Sequence, residues 1–132
     1  MVIDASALAK YILKEPNWRE IEKYLINAMS VDHVVKEVSN AIWKAYIRGF
    51  ITIKDVEKKL HALMKLIGIN IVLVNELELL EKAVEIAIEE RIPVYDSLYI
   101  ALAEKERKPL ITSDKKQATI YEKRGGVIHY IE

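Results

Sequence analysis

Short β-branched runs alternate with stretches of helical period along the whole chain, and this alternation leaves few folds open. Residues 1–4, 29–32, 69–74, 109–112 and 127–131 each read as a short strand. Between them the apolar residues recur at three and four. Leu8, Tyr11 and Ile12 mark a helix over 6–14. Pro16 fits the start of a second helix, with Trp18, Ile21, Leu25 and Ile26 on its apolar face. Val34, Val38, Ala41, Ile42 and Ala45 mark a helix over 34–48, closed by Gly49 in a left-handed turn. Thr52 with Asp55, and Asn75 with Glu78, have capping-box spacing for helices reaching about 67 and about 90. Asp96 opens a helix to about 106, and Asp114 with Gln117 opens the last one, to 123. The pattern predicts an α/β fold with a short, mainly parallel sheet. With 132 residues, no linker and no repeat, the chain reads as a single domain over 1–132.

In such a sheet the C-terminal strand ends share one rim, where helix N-termini gather. Asp4 closes the first strand, and Asp114 follows the strand 109–112. Asp96 begins the helix before that strand, and Glu37 lies early in the helix after the second strand. All four acids are thereby expected at one edge. Taken singly each has an ordinary alternative. Asp4, Asp96 and Asp114 suit helix caps, and Glu37 suits a solvated helix face. Taken together, several clustered carboxylates repel one another, and a hard divalent cation such as Mg²⁺ removes that cost.

Other chemistries lack their residues. Without cysteine there is no disulfide, zinc–thiolate site or thiol nucleophile. His33, His61 and His129 form no metal motif, and no serine sits in a nucleophile elbow. No apolar run approaches the ~18 residues of a membrane span, and the opening segment lacks a basic leader, so a cytoplasmic protein away from membranes is expected. The formal net charge of +0 lends nucleic-acid binding no global support, so any RNA contact must be local.

Four motifs, VIDASAL at the start, KEVSNAIWKA at 36–45, YDSLYIALA at 95–103 and LITSDKK at 110–116, resemble the PIN domain family. Within it they are most similar to the VapC-like toxin ribonucleases of type II toxin–antitoxin pairs. The resemblance spans nearly the whole chain. It implies a three-layer α/β/α fold and an acidic pocket of Asp4, Glu37, Asp96 and Asp114 that binds Mg²⁺ or Mn²⁺. It also implies that Ser6, Asn40 and Thr112 support that pocket, that the protein is a homodimer, and that a VapB-like antitoxin restrains it.

The expected reaction is metal-dependent hydrolysis of an RNA phosphodiester, leaving a 5′-phosphate and a 3′-hydroxyl. Asp4 and Asp96 are the first choices as direct ligands, with Glu37 and Asp114 holding waters or a second ion. At about 100° per residue, Lys44 and Arg48 continue the stripe of Glu37 and are candidate RNA contacts, as are Lys115 and Lys116. A groove between Leu8, Tyr11 and Ile12 and the facing Trp18, Ile21 and Leu25 is a candidate seat for the antitoxin. Four other readings stay open: a non-catalytic PIN-like binding module, a PIN nuclease outside toxin–antitoxin biology, a DNA nuclease, and a receiver-like signalling domain with aspartates at a sheet edge.

Overall fold

The structure, a computed structural model, describes residues 1–132. Strands β1 (Val2–Ile3), β2 (Ala28–Val31), β3 (Ile71–Val74), β4 (Leu110–Thr112) and β5 (Ile128–Tyr130) form one sheet in the order β3-β2-β1-β4-β5. Every pairing is parallel. Six α-helices connect the strands: α1 (Ala5–Leu13), α2 (His33–Ile47), α3 (Ile53–Ile69), α4 (Leu80–Glu90), α5 (Val94–Glu106) and α6 (Lys115–Lys123). Helices α1, α2 and α3 pack on one another, while α5 packs against α4, α6 and the central strands. This is the expected α/β/α architecture. The strand order differs from the 2-1-3-4-5 order of receiver-like folds, which sets that alternative aside.

The centre of the molecule is built from β1, β4 and α5. Val2, Ile3, Leu110 and Ile111 have no exposed surface. Every residue from Ser97 to Ala103 is buried, so the middle of α5 is enclosed all round and has no solvent stripe. Ser97 is tolerated there because its hydroxyl donates to the backbone oxygen of Ala83 at 2.6 Å. No helix is long and apolar enough to cross a membrane.

Several local expectations need correction. The segment after Pro16 is a 3₁₀ helix, Trp18–Tyr24, and not an α-helix. It is pinned between Asn17 and Asn27, both at positive φ, which leaves too few residues for a regular amphipathic helix. Ile21 and Leu25 still reach the core, but Ile26 turns outward. The groove proposed between the first two helical segments is filled. Leu8, Ile12, Ile21 and Leu25 are core residues, and Tyr11 and Trp18 close over them edge to face at 5.6 Å. Asn75 caps only a short 3₁₀ turn, Glu76–Glu78, before α4 begins. The Thr52–Asp55 capping box is present as expected.

Two glycines respond oppositely to a methyl group. A Cβ on Gly126 would lie 2.3–2.5 Å from three carbons of the Tyr121 ring, which is itself anchored by its hydroxyl on the Lys108 carbonyl at 2.8 Å. Gly68 lies inside α3 with open space around it. Gly126→Ala is expected to destabilise by about 1–3 kcal/mol. Gly68→Ala is expected to stabilise by about 0.5–1 kcal/mol. Urea melts of the two variants check both signs.

Candidate active site

Strand order changes direction at β1, which pairs with β2 on one side and β4 on the other. Such a switch point opens a crevice beyond the carboxyl ends of the strands. Asp4 stands there as the N-cap of α1. The register sets Ile3 against Ile111, which places Asp4 beside Thr112. One Asp4 oxygen accepts from the Ala7 amide at 3.0 Å and the Ser6 hydroxyl at 2.7 Å. The other accepts from the Thr112 hydroxyl. Ser6 in turn accepts the Ser113 amide at 2.8 Å, and Thr112 accepts the Asp114 amide at 3.0 Å. Each hydroxyl has one proton and spends it on Asp4, so the 3.1 Å approach of Ser6 to Thr112 is a contact and not a further bond.

Asp114 caps α6, one carboxylate oxygen accepting the Lys116 and Gln117 amides at 2.9 and 3.2 Å. Gln117 does not complete a capping box. Its side-chain amide donates to the Asp96 carbonyl at 2.8 Å and ties α6 to α5. Asp96 is the third residue of α5, which starts at Val94 with Pro93 as the cap position. The capping alternative for Asp96 therefore fails, because Pro begins the helix two residues earlier than expected. On α2, one Glu37 oxygen accepts from the Tyr99 hydroxyl at 3.1 Å, and His33 Nε2 lies 3.1 Å away.

The four acids line one recess of about 270 Å³ together with Ser6, Tyr99 and Gln117. None of them is ion-paired with a lysine or arginine. Burial raises the Asp4 carboxyl to about 6 in spite of its three donors, and the charge on Asp114 adds to the rise. Glu37 is pushed up to about 7, first by burial and then by Asp96 and Asp4, although Tyr99 opposes the shift. Asp96 is raised by burial and by Asp114, and is eased downward by Lys116. The Tyr99 hydroxyl is also raised, by burial and by Glu37, and stays a proton donor.

This donor set is all hard oxygen, and its mutual repulsion is what a divalent cation relieves. No three of the side chains form a ready-made clasp around a single ion. The Asp4 oxygens are already largely occupied, so the fit is to an ion that keeps several waters, as Mg²⁺ does, and not to a dehydrated cage.

The remaining expected residues lie apart from this recess. Asn40 is exposed and lines an adjoining recess with His33, Lys36 and Tyr95. Lys44 and Arg48 are exposed farther along α2, and Lys115 and Lys116 at the start of α6. Tyr99 and Gln117 are site residues that sequence reasoning passed over. The signal for Tyr99 was its place three residues after Asp96, on the same face of one helix.

A family model for the PIN domain matches residues 1–123, which include all four acids. This chain belongs to the PIN domain family. Among PIN proteins, it is 30% identical over 124 residues to the ribonuclease VapC3 of Pyrobaculum aerophilum, covering 89% of this chain and 92% of that relative. The fold is also that of PAE2754 from Pyrobaculum aerophilum, known from a crystal structure. The TM-score is 0.70, with 21% identity over 96% of this PIN chain and 88% of the other.

The raised carboxyls have a consequence for stability. Asp4 titrates near 3.8 when unfolded and near 6 when folded, so the folded state binds more protons between those values. Stability of the metal-free protein is then fully present below about 4 and is lost as pH rises through about 6, by on the order of 3 kcal/mol from Asp4. Glu37 extends the loss toward pH 7. Thermal melts in chelator are expected to fall over this range, and Mg²⁺ is expected to recover the loss at pH 7. A flat profile in chelator would show that burial, and the lesser repulsion among the acids, do not raise these carboxyls as placed.

Proposed function

We propose that this chain is a metal-dependent endoribonuclease acting as a single PIN-like domain, the toxin of a VapBC-type pair working in the cytoplasm. The observation that carries this reading is the convergence of Asp4, Glu37, Asp96 and Asp114 on one recess at the sheet's switch point with no lysine or arginine paired to them. The name of the VapC3 relative supports RNA as the substrate.

Asp4 and Asp96 are the residues that would hold the ion. Asp4 is immobilised by Ser6 and Thr112, and Asp96 has a carboxylate that caps nothing. Mg²⁺ or Mn²⁺, when bound, supplies positive charge against the phosphate and makes the attacking water more acidic. Tyr99 fixes one oxygen of Glu37 and leaves the other to orient that water and take its proton. Asp114, with one oxygen spent on the α6 cap, would offer its other oxygen to a water of that ion or to a second ion. Lys115 and Lys116, beside Asp114, are proposed to meet the RNA backbone, as are Lys44 and Arg48 on α2.

We also propose self-association through an apolar run at the α2–α3 corner. Trp43, Ile47, Phe50 and Ile53 are all exposed there, Phe50 at 76%. A VapB-like antitoxin is the proposed restraining partner.

Two measurements test these readings. Cleavage of single-stranded RNA should require Mg²⁺ or Mn²⁺ and stop on chelation. Asp96→Asn should stay folded and cleave about 100-fold more slowly, while Asp55→Asn, a change in the α3 cap, should cleave like the parent. Parent-like cleavage by Asp96→Asn at low metal would remove Asp96 from the site. Separately, light scattering should report a dimer for the parent and a monomer for Phe50→Asp. A Phe50→Asp dimer would reject this face as the interface.

A further inference from the structure

The acidic recess shares Glu37 and Asp96 with a second recess whose wall is quite different. His33 and Tyr95 stand there with their rings nearly parallel, 12° apart in plane and 5.2 Å between centroids. His33 is held at the base of the pair, largely buried, by Glu37 at 3.1 Å and Glu76 at 3.8 Å. Tyr95 lies on top. It is the residue before Asp96, it is 62% exposed, and it makes no hydrogen bond through its hydroxyl. An aromatic ring stacked on one face and this exposed leaves its other face to solvent. Nothing in the packing of α5 requires it there, since the core begins at Ser97.

Around the open ring stand Lys36, exposed and only loosely paired with Glu76 at 3.9 Å, and the exposed amide of Asn40. An aromatic face, a cation and an amide are the groups that recognise an unpaired nucleotide: stacking for the base, charge for the phosphate, and a donor–acceptor edge for base hydrogen bonds. The recess adjoins the carboxylates, so a nucleotide next to the scissile phosphate falls within it.

We propose that His33 and Tyr95 form a stacking platform for a base of single-stranded RNA next to the cleaved bond, with Lys36 and Asn40 flanking it. This rests on the ribonuclease reading above. Duplex RNA cannot use the platform, because its bases are already stacked on both faces. The platform makes Tyr95 a determinant of substrate form, separate from the carboxylates.

The test uses a short oligouridylate, whose bases stack little on one another, containing one 2-aminopurine, whose fluorescence falls on stacking, with Ca²⁺ in place of Mg²⁺ to offset the acids. The parent should bind this single strand and quench it. Tyr95→Phe should keep both properties. Tyr95→Leu should lose about tenfold in affinity and most of the quenching, while the three proteins bind a duplex of the same length equally. Equal affinity and quenching in Tyr95→Leu overturns the platform, as does a parent that fails to bind the single strand. Cleavage in Mg²⁺ is read on the same parent. A parent that binds and quenches but never cuts defeats the nuclease reading and leaves the platform standing. A parent that cuts while Tyr95→Leu binds like it defeats only the platform.

Discussion

Asp4, clamped by three donors at the seam between β1 and β4, is the interaction on which the site depends. A buried carboxylate is costly in proportion to the hydrogen bonds it lacks. Here the donors come from α1, through the Ala7 amide and Ser6, and from β4, through Thr112. The same two hydroxyls then accept the amides of Ser113 and Asp114, so the loop that presents Asp114 is tied to the residue it faces. The seam thereby fixes two of the four acids and the start of α6 in one network. The donors do not fully compensate burial, and Asp4 remains raised to about 6. Charge is held here at a cost that the fold itself leaves uncovered.

The fold was legible because its strands are short and rich in β-branched residues and because α5 carries a compact apolar stretch from Leu98 to Ala103. Asp4, Glu37 and Asp114 could be placed from strand ends alone, since a parallel sheet sends every such end to one rim. Asp96 reached the same rim by a partly wrong route: the helix begins at Val94, after Pro93 as cap, and Asp96 lines the recess from inside its first turn. Periodicity could place Lys44 and Arg48 on the stripe of Glu37, but not say which way that stripe runs from the sheet edge. Lys44 and Arg48 fall outside both recesses, and Lys36, the residue before Glu37, is the cation that lines the neighbouring one. Tyr99 was hidden because its neighbours are all core, and a tyrosine among them reads as packing until its hydroxyl is seen on Glu37. The 3₁₀ segment was unreadable for a different cause: positive φ at two asparagines is a tertiary outcome that apolar spacing does not encode.

Net neutrality also concealed how charge is distributed. Arg124, just past α6, reaches Glu104 of α5 at 2.6 Å and Glu89 and Glu90 of α4 at 2.8 and 3.1 Å. Lys123 is paired with Glu90 as well. Those carboxylates are compensated and serve to tie three helices together, and the Arg124 guanidinium is raised by the same contacts. The recess carboxylates receive no such partner, although the chain has as many basic as acidic residues. Equal totals therefore coexist with a segregated surface, and a sum over the chain says nothing about either region.

This segregation bears directly on how an anionic substrate reaches an anionic site. A phosphate approaching four carboxylates is repelled, and in a medium less polar than water the repulsion strengthens as the recess closes round it. Lysines at the rim lower that barrier from outside: Lys116 already eases Asp96 downward, and Lys36 flanks the adjoining recess. Within the recess no lysine or arginine does the same: its lining is acids, hydroxyls, the Gln117 amide and alanines, and the one nearby imidazole, His33, is already engaged by Glu37 at 3.1 Å. In the proposed nuclease the divalent ion is therefore needed for substrate to enter as well as for the bond to break. The stacking face proposed at Tyr95 has a complementary part: the base it would hold is the uncharged portion of the nucleotide, which Glu37 and Asp96 at the shared edge of the two recesses do not repel as they repel a phosphate.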